Sequence, residues 1–252
     1  MRKALLSFLL FIIVYVHTTL AAAQKTHVFL LPTIHRLHAS NEKYSYSNLL
    51  SLISNYKPDI IALEIRPEDM EQDTSYLKKL YPPEMIMVRD TFHNIKKVGI
   101  DDYGMQARGK LLNPEIFKDS TLELGRYKLE ERRMSADSSV IETRMKEGIP
   151  EIINEQIELA KKSNAQELLD GRYDKLTEDL YHKLDAILVN SPYRFYNQFN
   201  TARDIKIATN IEQLIKSNRG KRIIVLTGVN HHNRAEKVVR NMTDVVLHKS
   251  IQ

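Results

Sequence analysis

Residues 28–38 read VFLLPTIHRLH, an apolar run that stops at a Pro-Thr turn and is followed by two histidines. The run is short, carries bulky branched and aromatic side chains, and ends at a proline, which is the pattern of a buried strand. Open α/β sheets bind their ligands at the carboxyl ends of the strands. The stretch therefore predicts a central strand that places His35 at a binding edge.

The same pattern occurs a second time near the end of the chain. Residues 224–231 read IVLTGVNH and overlay the first stretch without a gap, so that His231 takes the position of His35. Each copy is followed by a stretch with helical spacing and by a second apolar strand, at residues 59–65 and 244–248. The order strand, histidine loop, helix, strand thus occurs twice. It predicts an α/β fold whose central, mostly parallel sheet brings both histidine loops to one edge.

The first 23 residues have the pattern of a secretory signal peptide. A basic pair is followed by an apolar segment over residues 4–16 and by three alanines that end at Ala23. The apolar segment is short for a membrane span, and small residues mark a cleavage site. We predict cleavage after Ala23, which leaves residues 24–252 as a single periplasmic or secreted domain without a stable membrane span. The alternative is an uncleaved anchor over residues 5–23.

The composition narrows the classes of function. The formal net charge of +5 is a mild excess spread along 252 residues, so nucleic acid is not a predicted partner. The chain contains no cysteine, which excludes disulfides and thiolate chemistry. It also lacks GxSxG, HExxH and P-loop motifs, which leaves serine-hydrolase, zincin and nucleotide-binding interpretations without support.

Two further predicted strands end in carboxylates. The strand over residues 59–65 is apolar except for Glu64, and a carboxylate in a buried strand is costly unless it has a partner. The alternative is that Glu64 leans into water at the strand end. A third strand, over residues 97–100, leads into Asp101-Asp102, and for this pair we favour an ordinary turn over a role in a site.

Three further helical segments are predicted outside the two repeats. A first-turn Pro-Glu-Asp pattern starts a helix over residues 67–81 that a Pro-Pro pair ends. Residues 114–190 are charged and helix-favouring, which indicates an inserted block of three or four amphipathic helices that caps the site. After an aromatic turn at residues 191–196, Asn200 or Thr201 caps the next helix.

Arg203 lies in the first turn of that last helix, four residues before Ile207 and on the same face. A guanidinium in a core-facing stripe either extends out to water or meets an anion. Position alone leaves the two alternatives open.

The histidines and the glutamate allow two kinds of hydrolytic chemistry. His35, His231 and Glu64 suit a divalent metal, because imidazole and carboxylate ligands can leave positions open for water and substrate. Bound metal would lower the pKa of a water and polarise a carbonyl group. Without metal, the same residues could work as a general base with an orienting carboxylate, because histidine titrates near neutral pH.

Four motifs together resemble those of the TraB, GumN and Tiki families, which belong to a wider group with the erythromycin esterases and the ChaN haem-binding proteins. The motifs are PTIH at residues 32–35, IIALEIRPE at 60–68, TARDIKIATNI at 201–211 and VLTGVNH at 225–231. The resemblance covers both ends of the mature chain and leaves the helical middle without a match.

The resemblance implies an α/β fold with a pseudo-repeat and a helical cap. It implies that His35, Glu64 and His231 are the core site residues and that Arg203 is a supporting cation. Tiki-like members are metal-dependent proteases, which implies manganese or cobalt as the ion, whereas the esterase branch implies a site that works without metal. Two positions depart from the family pattern: Pro32 stands where the first motif has glycine, and Asp204 stands where asparagine follows the arginine.

The leading hypothesis is an exported, metal-assisted hydrolase of the peptidase or esterase type. In it, His35, His231 and Glu64 hold a metal or activate water, and Arg203 steadies an anionic group. One alternative is a ChaN-like protein that binds haem or iron through histidine or tyrosine ligands on the same face. Another is a catalytically inactive member that serves as a binding scaffold.

Overall fold

A computed structural model describes residues 25–250, so the predicted signal peptide lies outside the described residues. One five-stranded sheet of parallel strands forms the centre, in the order β3-β2-β4-β1-β5. The strands are β1 (Thr26–Thr33), β2 (Ile60–Leu63), β3 (Lys96–Gly99), β4 (Arg222–Gly228) and β5 (Val245–His248). The predicted α/β class with a parallel central sheet is confirmed.

Ten α-helices surround the sheet within the described residues, together with four short 3-10 turns. The helices are α1 (Tyr46–Tyr56), α2 (Thr74–Leu77), α3 (Pro83–Thr91), α4 (Glu123–Met134), α5 (Ser138–Lys146), α6 (Ile149–Lys162), α7 (Ala165–Leu168), α8 (Arg172–Leu188), α9 (Arg194–Ser217) and α10 (Val229–Arg240). None of the helices in residues 25–250 has the length and apolar character that a membrane crossing requires.

The two predicted repeat units are related by a pseudo-two-fold axis that runs between β1 and β4, parallel to the strands. β1 leads through α1 to β2 on the far side of β4, and β4 leads through α10 to β5 on the far side of β1. Helices α1 and α10 pack on opposite faces of the sheet. Exchanging the units therefore exchanges the faces, and Val28 and Ile224, which match in the overlay, do lie on opposite faces.

Each face of the sheet has its own apolar core, because successive strand residues point to opposite sides. On one face Leu31 packs with the buried residues of α1 and α3. On the other face Leu30 packs with Ile207 and Ile211 of α9 and with the buried residues of α10. Both faces are covered, which explains why the strands read as continuous apolar runs.

The predicted helical insertion forms a cap at residues 114–190, with a small apolar core of its own. This core contains Met134, Val140, Ile149, Leu184 and Leu188. The block contains five helices, α4 to α8, where three or four were predicted, and α6 and α8 each begin after a glycine with positive φ. Helix α9 joins the cap to the sheet, because its first turns pack on α4 and its last turns cover the sheet.

Two predicted helix boundaries were wrong. Residues 67–81 contain a 3-10 turn and the one-turn α2, and the Pro-Pro pair begins α3 because Pro83 takes the first helical position, where its missing N–H costs nothing. Helix α9 begins at Arg194, within the predicted aromatic turn, because Tyr196 and Phe199 stack on Tyr127 of α4 at 4.9 and 5.0 Å between ring centroids.

Leu31→Ala tests the importance of the central strand. Leu31 is fully buried between the sheet and α1, so the truncation should lower the free energy of unfolding by about 2–5 kcal/mol. Urea denaturation measures the change. Leu111→Ala is the matched control, because Leu111 is 62% exposed and its loss should cost within about 0.5 kcal/mol. Equal costs at the two positions would contradict the assigned core.

Candidate functional site

His35 follows β1 and begins a 3-10 turn, His35–Ala39, with a φ of +54° that lies in the left-handed region. Its Nδ1 donates to Glu84 Oε1 at 2.7 Å, and its side chain is 45% exposed. A Cβ placed on Gly228 would lie 2.8 Å from His35 Nε2, so this nitrogen borders the end of β4. A non-glycine residue in this conformation is strained, and such strain is typical of functional sites.

Glu84 is a fully buried carboxylate that the sequence analysis missed. It lies in the first turn of α3, where the helix dipole favours negative charge. Its Oε2 has no hydrogen-bond partner among residues 25–250. Burial lowers the pKa of His35, but the hydrogen bond to Glu84 and the charge of Glu64 outweigh burial and raise it above the ordinary value. The pair forms a histidine–carboxylate dyad at the edge of the sheet.

Glu64 follows β2 and points into the site rather than into water. Its Oε2 accepts from the Gly228 N–H at 2.5 Å, and its Oε1 accepts from Arg203 Nη2 at 2.8 Å. Burial raises the pKa of Glu64, but His231 and Arg203 overcome this effect, so the carboxylate stays ionised. A side chain at position 228 would displace the His35 ring, so glycine permits the close approach of His35 to the end of β4.

Arg203 meets anions, which settles the alternatives left open by its position. Its Nε and Nη2 donate to the two carboxylate oxygens of Asp101 at 2.8 and 2.9 Å, in addition to the bond with Glu64. Asp101 is 2% exposed. Asp102 does form the predicted turn, since its Oδ2 accepts from the Gly104 N–H, but Asp101 belongs to the site. Two buried carboxylates thus share one guanidinium.

His231 lies in the first turn of α10 and not on a loop, because the helix begins at Val229. Its Nδ1 donates to Asp204 Oδ1 at 2.6 Å, and its Nε2 lies 3.3 Å from Glu64 Oε1 and 3.2 Å from Arg203 Nη1. Burial lowers the pKa of His231, but the charge of Glu64 and the bond to Asp204 outweigh it and raise the pKa to about 10. These contacts favour the protonated form of His231.

The structure brings all four sequence-predicted residues to one edge. Glu64, Arg203 and His231 contact one another directly, and His35 lies beside them across the backbone of Gly228. The three carboxylates that complete the site, Glu84, Asp101 and Asp204, were not assigned to it from the sequence. Glu84 had a signal: a glutamate directly after a first-turn proline marks a helix start.

The predicted metal ligands do not fit a divalent ion in this arrangement. Both oxygens of Glu64 accept hydrogen bonds, one from the Gly228 N–H and one from Arg203. Nε2 of His231 faces the same guanidinium. A metal ion at this position would have to displace the Arg203 side chain. Four buried carboxylates nevertheless lie at this edge: Arg203 pairs with Glu64 and Asp101, His231 pairs with Asp204, and His35 pairs with Glu84.

A different group has metal-ligand spacing. In residues 25–250, one set of three acidic or histidine side chains has ligand atoms within 4.8 Å of one another: Asp174, His232 and Glu236. His232 Nδ1 lies 3.0 and 3.1 Å from the two oxygens of Asp174. Glu236 contacts Lys249 and, at 3.3 Å, Arg240. The contact between His232 and Asp174 joins α8 to α10, and Glu236 is already paired with one lysine and one arginine.

Comparison with protein-family models, with curated proteins and with solved structures gave no match for this chain. The resemblance to the TraB, GumN and Tiki families stays a prediction from four short motifs.

His231→Gln tests the charge state of the buried histidine. A pKa raised to about 10 means that the folded protein holds the proton, so the stabilisation is full below pH 6.5 and is lost as the pH rises toward 10. The difference in unfolding free energy between wild type and variant should shrink over this range, by up to about 1.4 kcal/mol per pH unit. Urea denaturation at pH 6, 8 and 10 measures it, with the exposed His182→Gln as the control. A constant difference would contradict a protonated His231.

Proposed function

We propose that the protein is a hydrolase of ester or peptide substrates in which His35 activates water as a general base. One observation carries the proposal: Nδ1 of a half-exposed histidine is fixed by the fully buried Glu84, which leaves Nε2 beside the site. A carboxylate that holds one ring nitrogen sets the tautomer and stabilises the imidazolium that forms when the other nitrogen takes a proton.

The reaction needs one proton acceptor and nearby positive charge. Nε2 of His35 takes a proton from water while the water oxygen bonds to the substrate carbonyl carbon. The imidazolium then returns the proton to the leaving oxygen or nitrogen as its bond to carbon breaks. Arg203 and protonated His231, with side chains 20% and 12% exposed, supply the positive charge toward which the oxyanion develops.

Glu64 has a supporting part in this proposal. It lies between Arg203 and His231, and it accepts a hydrogen bond from the Gly228 N–H. Glu64 therefore holds both side chains and the end of β4 in one arrangement. Because such groups cost no reorganisation during the reaction, a fixed arrangement of charges is an efficient way to stabilise a transition state. Export of this hydrolase rests on the signal-peptide pattern of residues 1–23 alone.

Substitutions at the dyad should separate the contribution of His35 as the proton acceptor from that of Glu84, which orients it. His35→Ala should lower kcat/KM on a cleaved ester by about 10²–10⁴. Burial lowers the pKa of His35 and Glu84 raises it, so Glu84→Gln keeps an acceptor for Nδ1 but should move the ascending limb of the pH–rate profile to lower pH. Steady-state assays from pH 5 to 9 measure both effects.

Glu142→Gln is the matched control, because it removes the same charge from an exposed position of α5. It should leave the pH–rate profile unchanged. The proposed role of the dyad would be contradicted if His35→Ala kept full activity. It would also be contradicted if the ascending limb of the pH–rate profile of Glu84→Gln lay at the same pH as that of wild type.

Metal removal tests the metal-assisted form of the hypothesis. Because Arg203 occupies the place of an ion, hydrolysis should survive dialysis against EDTA, and added Mn²⁺ or Co²⁺ should not raise it. The metal content of wild type, His35→Ala and His232→Ala should be measured by mass spectrometry. Two results together would establish the metal site that the resemblance implies. Activity would be lost with EDTA and restored by added metal, and the bound ion would be present in wild type and in His232→Ala but absent from His35→Ala.

A further inference from the structure

A cavity of about 250 Å³ opens beside Arg203, on the side of the edge strand β3. Residues directly after β3 form one wall, including Asp102 and Gly104, and α9 forms the other. Arg203 lines the cavity and also donates to Glu64, so this side chain lies between the cavity and the site. This volume is about the size of one large side chain and is smaller than a typical pocket for a whole ligand.

The floor of the cavity is an apolar stripe of α9. Phe195, Phe199 and Ala202 follow at spacings of four and three residues, which places them on one face of the helix. Met105, 73% exposed, adds a flexible apolar side chain at the opening. Two charges at the rim pair with each other, because Arg108 donates to both oxygens of Asp102 at 2.6 and 3.1 Å, and the carboxylate of Glu123 accepts from the Gln106 N–H at 3.4 Å. An apolar group fits this cavity better than a charged one.

The strand order fixes how far this cavity lies from the dyad. The cavity adjoins the end of β3, and His35 follows β1, three strands along in the order β3-β2-β4-β1. Neighbouring strands lie about 4.8 Å apart, so the two places are separated by roughly 14 Å along the edge. An extended peptide covers that length in about four residues.

We propose that this cavity binds an apolar side chain of the substrate about four residues away from the bond that is cleaved. The inference rests on the proposed hydrolase function and narrows its substrates to extended chains, which excludes small esters as good substrates. The chain between the two points would cross Arg203 and Glu64. A larger cavity of about 470 Å³ lies on the other side of α9, among side chains of α8 and α10 and away from the edge strand β3.

A series of peptides in which one phenylalanine is placed at successive positions tests the distance between the cavity and the bond that is cleaved. The probes are glycine–serine peptides with a single internal ester bond and one phenylalanine placed one to six residues from it, on either side. With the full chain, kcat/KM should peak on one side when phenylalanine is about four residues away. The gain should be at least about tenfold over phenylalanine next to the ester, which is what burial of one large apolar side chain supplies.

Two tryptophan variants of α9 provide the matched pair. Ala202→Trp fills the cavity and should remove the peak, whereas Ile205→Trp, at a 48% exposed position outside the cavity, should keep it. Ala202→Leu is the milder replacement if the larger side chain unfolds the protein. A flat profile in wild type, or an unchanged peak in the filled variants, would overturn the proposal.

Binding separates this proposal from the hydrolase function itself. The same peptides with a reduced CH₂–NH bond in place of the ester cannot be hydrolysed, and calorimetry gives their Kd. If no ester is cleaved, the hydrolase proposal falls, yet a binding maximum at about four residues that Ala202→Trp abolishes would still uphold the cavity as a subsite. A Kd that does not depend on the position of phenylalanine would overturn it in either case.

Discussion

The shared guanidinium of Arg203 is the interaction on which the rest of the site depends. Asp101 and Glu64 are buried carboxylates at the ends of neighbouring strands, and without a cation between them their burial would be strongly unfavourable. Arg203 satisfies both, and in doing so it fixes α9 against the carboxyl ends of β2 and β3. His231 then completes the cluster from α10, with Asp204, the next residue of α9, on its other nitrogen.

The pseudo-two-fold arrangement explains why two histidines meet here. Each repeat unit delivers its histidine after a central strand, and β1 and β4 are neighbours, so the axis between them brings both residues to one place. The environments differ because the symmetry is only approximate. His35 has a single buried carboxylate and remains half exposed, whereas His231 lies among three charged groups. Two equivalent positions have thus acquired different protonation behaviour.

The sequence predicts the strands and three of the site residues, His35, Glu64 and His231, because their signals are local, whereas the position of Arg203 leaves its role open. The apolar runs that end in His35 and Glu64 can be recognised from a few neighbouring residues, without the rest of the chain. Asp101 could not be assigned, because its partner is 102 residues away and an Asp-Asp-x-Gly segment has turn chemistry of its own. The early start of α9 depends on aromatic stacking against α4, and Glu84 reaches His35 only through a helix whose beginning was taken for an end.

Helix α9 packs both on the cap and on the sheet, and this limits how the cap can move relative to the sheet. Its 24 residues contain neither proline nor glycine, so it has no intrinsic hinge along a length of about 36 Å. Arg203 lies near its middle, between the aromatic turns that hold α4 and the apolar turns that cover the sheet. A cap that tilts would therefore move α9 as one rigid body, and would couple cap movement to the position of the Arg203 guanidinium between Glu64 and Asp101.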